Sequence, residues 1–131
     1  MNTIEVLLKQ ANTPDSAGRI FPLEELTKVC NNINESELPP FGEFGIGKDS
    51  LITVENVSHT VVSARMDGDR LMATIKLLDT PMGKIAQKCK NDKLPIKGAM
   101  RSVGFVDEDT KLVSDLQFIT VDIFVFGEKT L

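Results

Sequence analysis

The spacing of apolar residues predicts strands and two amphipathic helices. Residues 3–9, TIEVLLK, have the composition of a first strand. Apolar side chains then recur every three or four positions over residues 22–32, which indicates a first helix with a proline in its first turn. A second helix is predicted over residues 81–90, because Thr80 can cap it. The face of this second helix predicted to be buried carries Met82, Ile85 and Cys89.

The second half of the chain is dominated by two β-hairpin patterns. Strand-like residues 51–66 and 70–78 flank Asp67-Gly68, a strong hairpin turn signal. Residues 96–106 and 112–126 flank a second turn, DEDT. The last strand is apolar on both faces, so it is predicted to be central in a sheet.

These elements together predict an α+β fold. We expect a mainly antiparallel curled sheet or barrel of about six to seven strands, with two short covering helices. The length of 131 residues favours a single domain, residues 1–131. Residues 34–50, rich in proline and glycine, are predicted to form a long loop, and a loop of this length is often functional.

The composition leads us to expect that several classes of function are absent. The net charge of -4 gives no global sign of nucleic-acid binding or attraction to an acidic membrane surface. No apolar run approaches the ~20 residues of a membrane span. Cys30 and Cys89 lie far apart on predicted helices, which favours reduced core cysteines over a disulfide or a zinc site. We therefore expect no cofactor, no metal, no nucleic acid and no membrane partner.

A small set of side chains could carry hydrolytic chemistry. His59 is the only imidazole of the chain, and Ser102 lies across the predicted sheet from it. Asp122 falls on an apolar face of the last strand, where a carboxylate needs a partner. A Ser102–His59–Asp122 triad can therefore be written. The alternative is that Asp122 pairs with an arginine, for which Arg101 is the first candidate, or accepts backbone amides.

Six segments, taken in chain order, resemble the prohead proteases of tailed bacteriophages, which share the herpesvirus assemblin-type serine-protease fold. The resemblance covers most of the chain and implies that fold for it. The segments are AGRIFPLEEL, FGEFGIG, VENVSHTV, LLDTPMGKIAQKC, KGAMRSVGFV and VSDLQFITVDIFV.

The departures from the family pattern fall on its catalytic positions. FGEFGIG is similar to the Gly-Glu-Leu-x-His-Pro loop, but Ile46 stands at the position of the catalytic histidine. The strand KGAMRSVGFV is similar to Ser-Ser-Arg-Gly-x-Gly, but Ala99 and Met100 stand at the two serines, one of which is the nucleophile. Arg101 matches, whereas Ser102 falls on a glycine of the pattern. The resemblance thus implies a degenerate member without catalytic Ser and His, and no enzyme.

Three functions remain open at this point. The first is an inactive phage structural protein, a capsid, decoration or head-assembly component that binds capsid or scaffold proteins in the virion or, during assembly, in the host cytoplasm. The second is an active capsid-maturation peptidase that uses Ser102 and His59. The third is a protein regulator or inhibitor of the prohead protease. A homo-oligomer also remains open.

Four residues are predicted to take part in binding, Arg101 on its strand and three residues of the long loop. Phe41, Phe44 and Ile46 are apolar residues on that loop, and we expect them to contact a neighbouring protein or to cap the barrel. Sheet edges are the other expected interaction surface.

Overall fold

Six strands and two helices make up the part of the chain that the computed structural model describes, residues 2–45 and 51–125. In chain order they are β1 (Thr3–Gln10), α1 (Leu23–Glu35), β2 (Phe41–Glu43), β3 (Val57–Asp67), β4 (Arg70–Leu77), α2 (Pro81–Asn91), β5 (Ile96–Val106) and β6 (Val113–Val125), with a 3-10 turn at Val54–Asn56 before β3.

The strands form two antiparallel sheets whose edge strands lie beside each other. The first has the order β1-β4-β3-β2, and the second consists of β5 and β6. Strand β1 lies beside β5, and a Cβ added to Gly98 would stand 2.5 Å from Val6 Cγ2. At the other end β2 lies beside β6, where Phe44 and Ile123 form a single parallel bridge. The predicted α+β fold with a curled antiparallel sheet and two helices is confirmed.

The hydrophobic core lies between α1 and the inner faces of the strands. Helix α1 buries one face, as its three-to-four spacing predicts, and β4 buries every second residue. The core residues of these elements and of β6 are Leu26, Val29, Cys30, Ile33, Leu71, Ala73, Ile75, Leu77, Val113, Leu116, Val121 and Ile123.

Helix α1 also covers an edge of the first sheet. Strand β2 pairs with β3 only near its start, through Val57, His59 and Thr60. Beyond that point Asn34 of α1 donates to the Ala64 carbonyl and accepts from the Ala64 amide, both at 2.8 Å. The side chain thus replaces a paired strand, which protects the edge against pairing with another chain.

Two expectations about strands need correction. The predicted loop at 34–50 contains strand β2, and α1 extends to Glu35. The last strand is not central, because within the described residues β6 has a ladder with β5 alone. It is nevertheless buried from Thr120 to Ile123, since the segment around β2 covers its other edge with isolated contacts in place of a ladder.

The expected buried face of α2 is wrong at Ile85, whereas Met82 and Cys89 are half-buried. Gly83 and Ala86 are buried, whereas Ile85 is 48% exposed. The helix begins as predicted, with Thr80 accepting from the Gly83 amide. Its backbone approaches the end of β4 so closely that a Cβ on Gly83 would stand 2.0 Å from the Leu78 carbonyl oxygen. Small residues therefore face the core, because larger side chains do not fit. Neither α1 nor α2, the helices of the described residues, is long and apolar enough to span a membrane.

Gly83→Ala is expected to destabilise the protein although alanine is the better helix former. Alanine propensity favours the helix by about 1 kcal/mol, but the added methyl group must displace a backbone carbonyl. We expect a net loss of about 1–3 kcal/mol in the free energy of unfolding, measured by urea denaturation. Lys84→Ala, on the exposed side of the same helix, is the control and should be near neutral. A Gly83→Ala variant as stable as this control would contradict the close approach.

Candidate functional site

Arg101 and Asp122 form a buried ion pair across β5 and β6. Arg101 lies opposite Thr120, and Asp122 follows two residues later on the same face of β6. Arg101 Nε donates to Asp122 Oδ2 at 3.0 Å, and Nη2 donates to Oδ1 at 2.6 Å. Both residues are buried. This is the arginine–carboxylate pairing that the sequence predicts, in bidentate geometry.

Glu43 is the third member of this charge cluster, which we define as Glu43, Arg101 and Asp122. Its Oε1 accepts from Arg101 Nη2 at 2.7 Å, and its backbone amide donates to Asp122 Oδ1 at 3.2 Å. Glu43 Oε2 accepts from the Thr53 amide at 2.5 Å. Sequence reasoning missed this role. The available signal was a carboxylate between Phe41 and Phe44 in a segment that turned out to contain a strand.

The cluster holds one positive and two negative side chains out of water. The hydrogen bond from Arg101 to Asp122 is the main cause that raises the pKa of Arg101 above its ordinary value. Arg101 Nη1 also donates to the Leu51 carbonyl at 3.2 Å. Backbone amides of Glu43 and Thr53 supply further donors to the carboxylates. The guanidinium therefore joins β2, β6 and Leu51 into one unit, in which each buried charge has partners.

His59 is fully buried and forms a second link between the two sheets. Its Nε2 lies 2.6 Å from the Val121 carbonyl oxygen of β6, and its Nδ1 lies 2.7 Å from Ser58 Oγ. A carbonyl oxygen only accepts, so Nε2 carries the proton and Nδ1 accepts from the Ser58 hydroxyl. Burial lowers the pKa of His59, although Val121 and nearby Asp122 act in the opposite direction. The ring is thus held neutral in one tautomer.

The His59 link requires glycine at position 42. A Cβ on Gly42 would lie 2.1 Å from His59 Nε2 and 2.0 Å from the Val121 carbonyl oxygen. Only a residue without a side chain lets the imidazole pass over β2 and reach β6. The Thr120 hydroxyl adds a third contact across the same boundary by donating to the Phe41 carbonyl at 2.7 Å.

The structure does not assemble the Ser102–His59–Asp122 arrangement. Alternation turns Ser102 away from the face of Arg101, and it lies opposite Phe118 of β6. There it lines a cavity of about 220 Å³ together with Arg19, Phe21, Gly104, Val106, Val113 and Leu116. Both ring nitrogens of His59 already bond to Ser58 and Val121, and the Asp122 carboxylate bonds to Arg101.

The other residues singled out from the sequence have separate surroundings. Ala99 lies opposite Asp122 on the face of the charge cluster, and Met100 packs against the hydrophobic core. Phe41 is 52% exposed, whereas Phe44 packs against the core. Ile46 lies outside the described residues. Within residues 2–45 and 51–125, no group of three or more His, Cys, Asp or Glu side chains could hold a metal ion.

Comparison with known proteins identifies the fold. No model of a known family and no curated protein matches the sequence. Among solved structures, the chain is similar to the bacteriophage T4 capsid assembly protease, gp21, with a TM-score of 0.79 and 19% sequence identity. The match covers 93% of this chain and 80% of that chain. The protein has a prohead-protease-like fold. An identity this low supports the shared fold and leaves activity to separate evidence.

Replacing the guanidinium of the charge cluster should be strongly destabilising. Arg101→Met leaves two carboxylates buried without their cation, which typically costs about 3–5 kcal/mol of unfolding free energy. Urea denaturation measures the loss. The surface ion pair between Arg65 and Glu5 is the matched control, and Arg65→Met should lose much less.

A triple variant separates charge from shape in the same experiment. Arg101→Met combined with Glu43→Gln and Asp122→Asn removes the buried negative charge, so it should be more stable than Arg101→Met alone. A triple variant no more stable than the single one would contradict the electrostatic account.

Stability should fall as the pH drops below the ordinary His59 pKa of 6.5. Because folding lowers the pKa of His59, the unfolded chain binds the proton more tightly, and protonation favours unfolding. Carboxylates with lowered pKa values, such as Asp15 and Glu25, add their own dependence only near or below 4.5. Urea denaturation between about pH 7.5 and 5.5 should therefore show a decline in the wild type that His59→Gln flattens. Parallel stability curves for the two proteins would contradict the assignment of this pH dependence to His59.

Proposed function

We propose that the protein is a phage structural component, of the head or of its assembly, that binds capsid or scaffold proteins without cleaving them. The setting is supported by the fold shared with a capsid assembly protease. The proposal places the protein in the virion or, during assembly, in the host cytoplasm.

The main support for a lack of proteolysis is the position of His59. This only imidazole of the chain is fully buried, and both of its ring nitrogens are hydrogen-bonded. A serine nucleophile needs an adjacent base within about 2.6–3.2 Å to take its proton. For His59 to serve as that base, it would have to leave Val121 or Ser58 and break the contact that joins the two sheets. Ser102, on the opposite face of β5, gains nothing from His59 in its present place.

The side chains at the positions that resemble the family's nucleophile support the same proposal. Ala99 offers a methyl group and Met100 a thioether, and neither attacks a peptide carbonyl. Met100 is also turned toward the hydrophobic core. Loss of a nucleophile or of its base alone removes most of the rate advantage of a triad.

The charge cluster supports a structural role for the residues at this site. Arg101 bonds to Asp122, Glu43 and Leu51 at once, so its donors serve to hold the segment around β2 against β6. Phe41, exposed on that segment, is then available for contact with a partner.

A particle analysis and a cleavage assay test the two halves of the proposal. Mass spectrometry of purified proheads and virions should find the chain in at least one of them, and an electron-microscopy map should place it against the shell or the scaffold. Absence from both particles would overturn the structural role.

The cleavage assay uses the purified protein with the capsid and scaffold proteins of the same phage. We expect no cleavage, and the same result for Ser102→Ala. Cleavage that disappears in Ser102→Ala would establish the peptidase alternative. Recovery of the chain bound to an active prohead protease, with that enzyme's rate reduced, would establish the regulator alternative instead.

A further inference from the structure

The tip of the β5–β6 hairpin is the most continuously exposed part of the described chain. Every residue from 103 to 112 is exposed, including four apolar ones. We call residues 103–112 the hairpin arm. Phe105 is 70% exposed and Val103 is 57% exposed, and Val106 and Leu112 are also exposed. The Lys111 carbonyl accepts from the Ile20 amide, and Leu112 forms a single parallel bridge with Ile20, so the base of the arm is anchored to the rest of the fold. The exposed apolar side chains of Val103 and Phe105 on β5 then favour contact with a partner.

The apolar side chains of the arm share a face with the charge cluster. Alternation along β5 places Val103 and Phe105 on the side of Ala99 and Arg101. Gly104 lies on the opposite side, where a Cβ would meet Leu116. The outer face of β5 therefore continues from the covered ion pair onto uncovered apolar residues.

The arm is bordered by negative charge. Exposed Asp107, Glu108 and Asp109 lie in its turn and Asp115 lies on the following strand, with Lys111 as the exposed cation between them. Arg19, which lines a cavity beside Val103 and Val106, is paired with Asp15. Asp107 shapes the turn by accepting from the amides of Asp109 and Thr110. Among the described residues, no salt bridge involves Glu108 or Asp109, so these two carboxylates are available to a ligand.

We propose that the hairpin arm binds a basic segment of a partner protein that also carries apolar side chains. Val103 and Phe105 would cover the apolar groups, and the carboxylates of the turn would pair with lysine or arginine. A second copy of this chain fits less well, because arm-to-arm contact brings the same carboxylates together. The inference rests on the proposed function in that it assigns the contact surface for a partner.

A fluorescence anisotropy titration tests this surface with a labelled peptide of alternating valine and lysine. The full-length wild type should bind it with an affinity that falls as salt rises. Phe105→Ser should weaken binding by about tenfold or more, the loss of a buried aromatic anchor. Glu108→Lys combined with Asp109→Lys should weaken it as well while leaving the Asp107 turn intact. Val54→Ser is the control, since Val54 is 82% exposed outside the arm.

Three results would overturn the inference. They are equal binding of a valine–glutamate peptide, unchanged affinity in both arm variants, and concentration-dependent self-association of the wild type that Phe105→Ser abolishes. Circular dichroism checks that each variant is folded. If Phe105→Ser does not fold, the double variant Glu108→Lys with Asp109→Lys still tests the surface.

Incorporation into particles separates this inference from the proposed function. If both arm variants enter particles as well as wild type does, the arm is not the contact surface and the structural role stands. If the wild type is absent from particles, the structural role fails whatever the peptide result.

Discussion

The ion pair between Arg101 and Asp122, with Glu43 as its third member, is the interaction on which the rest of the site depends. The two sheets share no ladder between β2 and β6 in the described part of the chain, so apart from the backbone bridge of Phe44 with Ile123, side chains hold that boundary. Arg101 does so by bonding to β6, β2 and Leu51 together. Removing one partner of a buried ion pair leaves an uncompensated charge and is costly, so the cluster constrains how β2 and β6 lie against each other.

His59 and Gly42 solve the same boundary problem with neutral groups. The imidazole crosses β2 where Gly42 leaves room, and its Nε2 bonds to the Val121 carbonyl of β6. Burial keeps the ring neutral, and the Ser58 hydroxyl fixes the tautomer. The only imidazole of the chain therefore contributes to architecture. A structural role for His59 is compatible with our proposal that this prohead-protease-like fold does not cleave peptides.

The outer face of β5 connects the two proposals. Near its middle this face is covered by the segment around β2 through the charge cluster, and toward its tip it becomes uncovered and apolar beside an acidic turn. A surface of this kind is suited to binding another protein, because apolar groups supply affinity and the carboxylates restrict the choice of partner. Cleavage would require an accessible base beside a nucleophile, and the geometry of His59 does not offer one.

The sequence by itself determined the helices, the long strands, the Asp67-Gly68 turn and the pairing of Arg101 with Asp122. These features depend on local periodicity, on turn residues and on the register of one hairpin, and all three are set by residues close together in the sequence. It did not reveal strand β2, the role of Glu43, the glycine–alanine face of α2 or the hydrogen bonds that hold His59. Only the tertiary structure decided these, because Glu43 meets its partners across separations of 58 and 79 residues. Close packing at Gly42 and Gly83 likewise depends on backbones brought together by the whole fold.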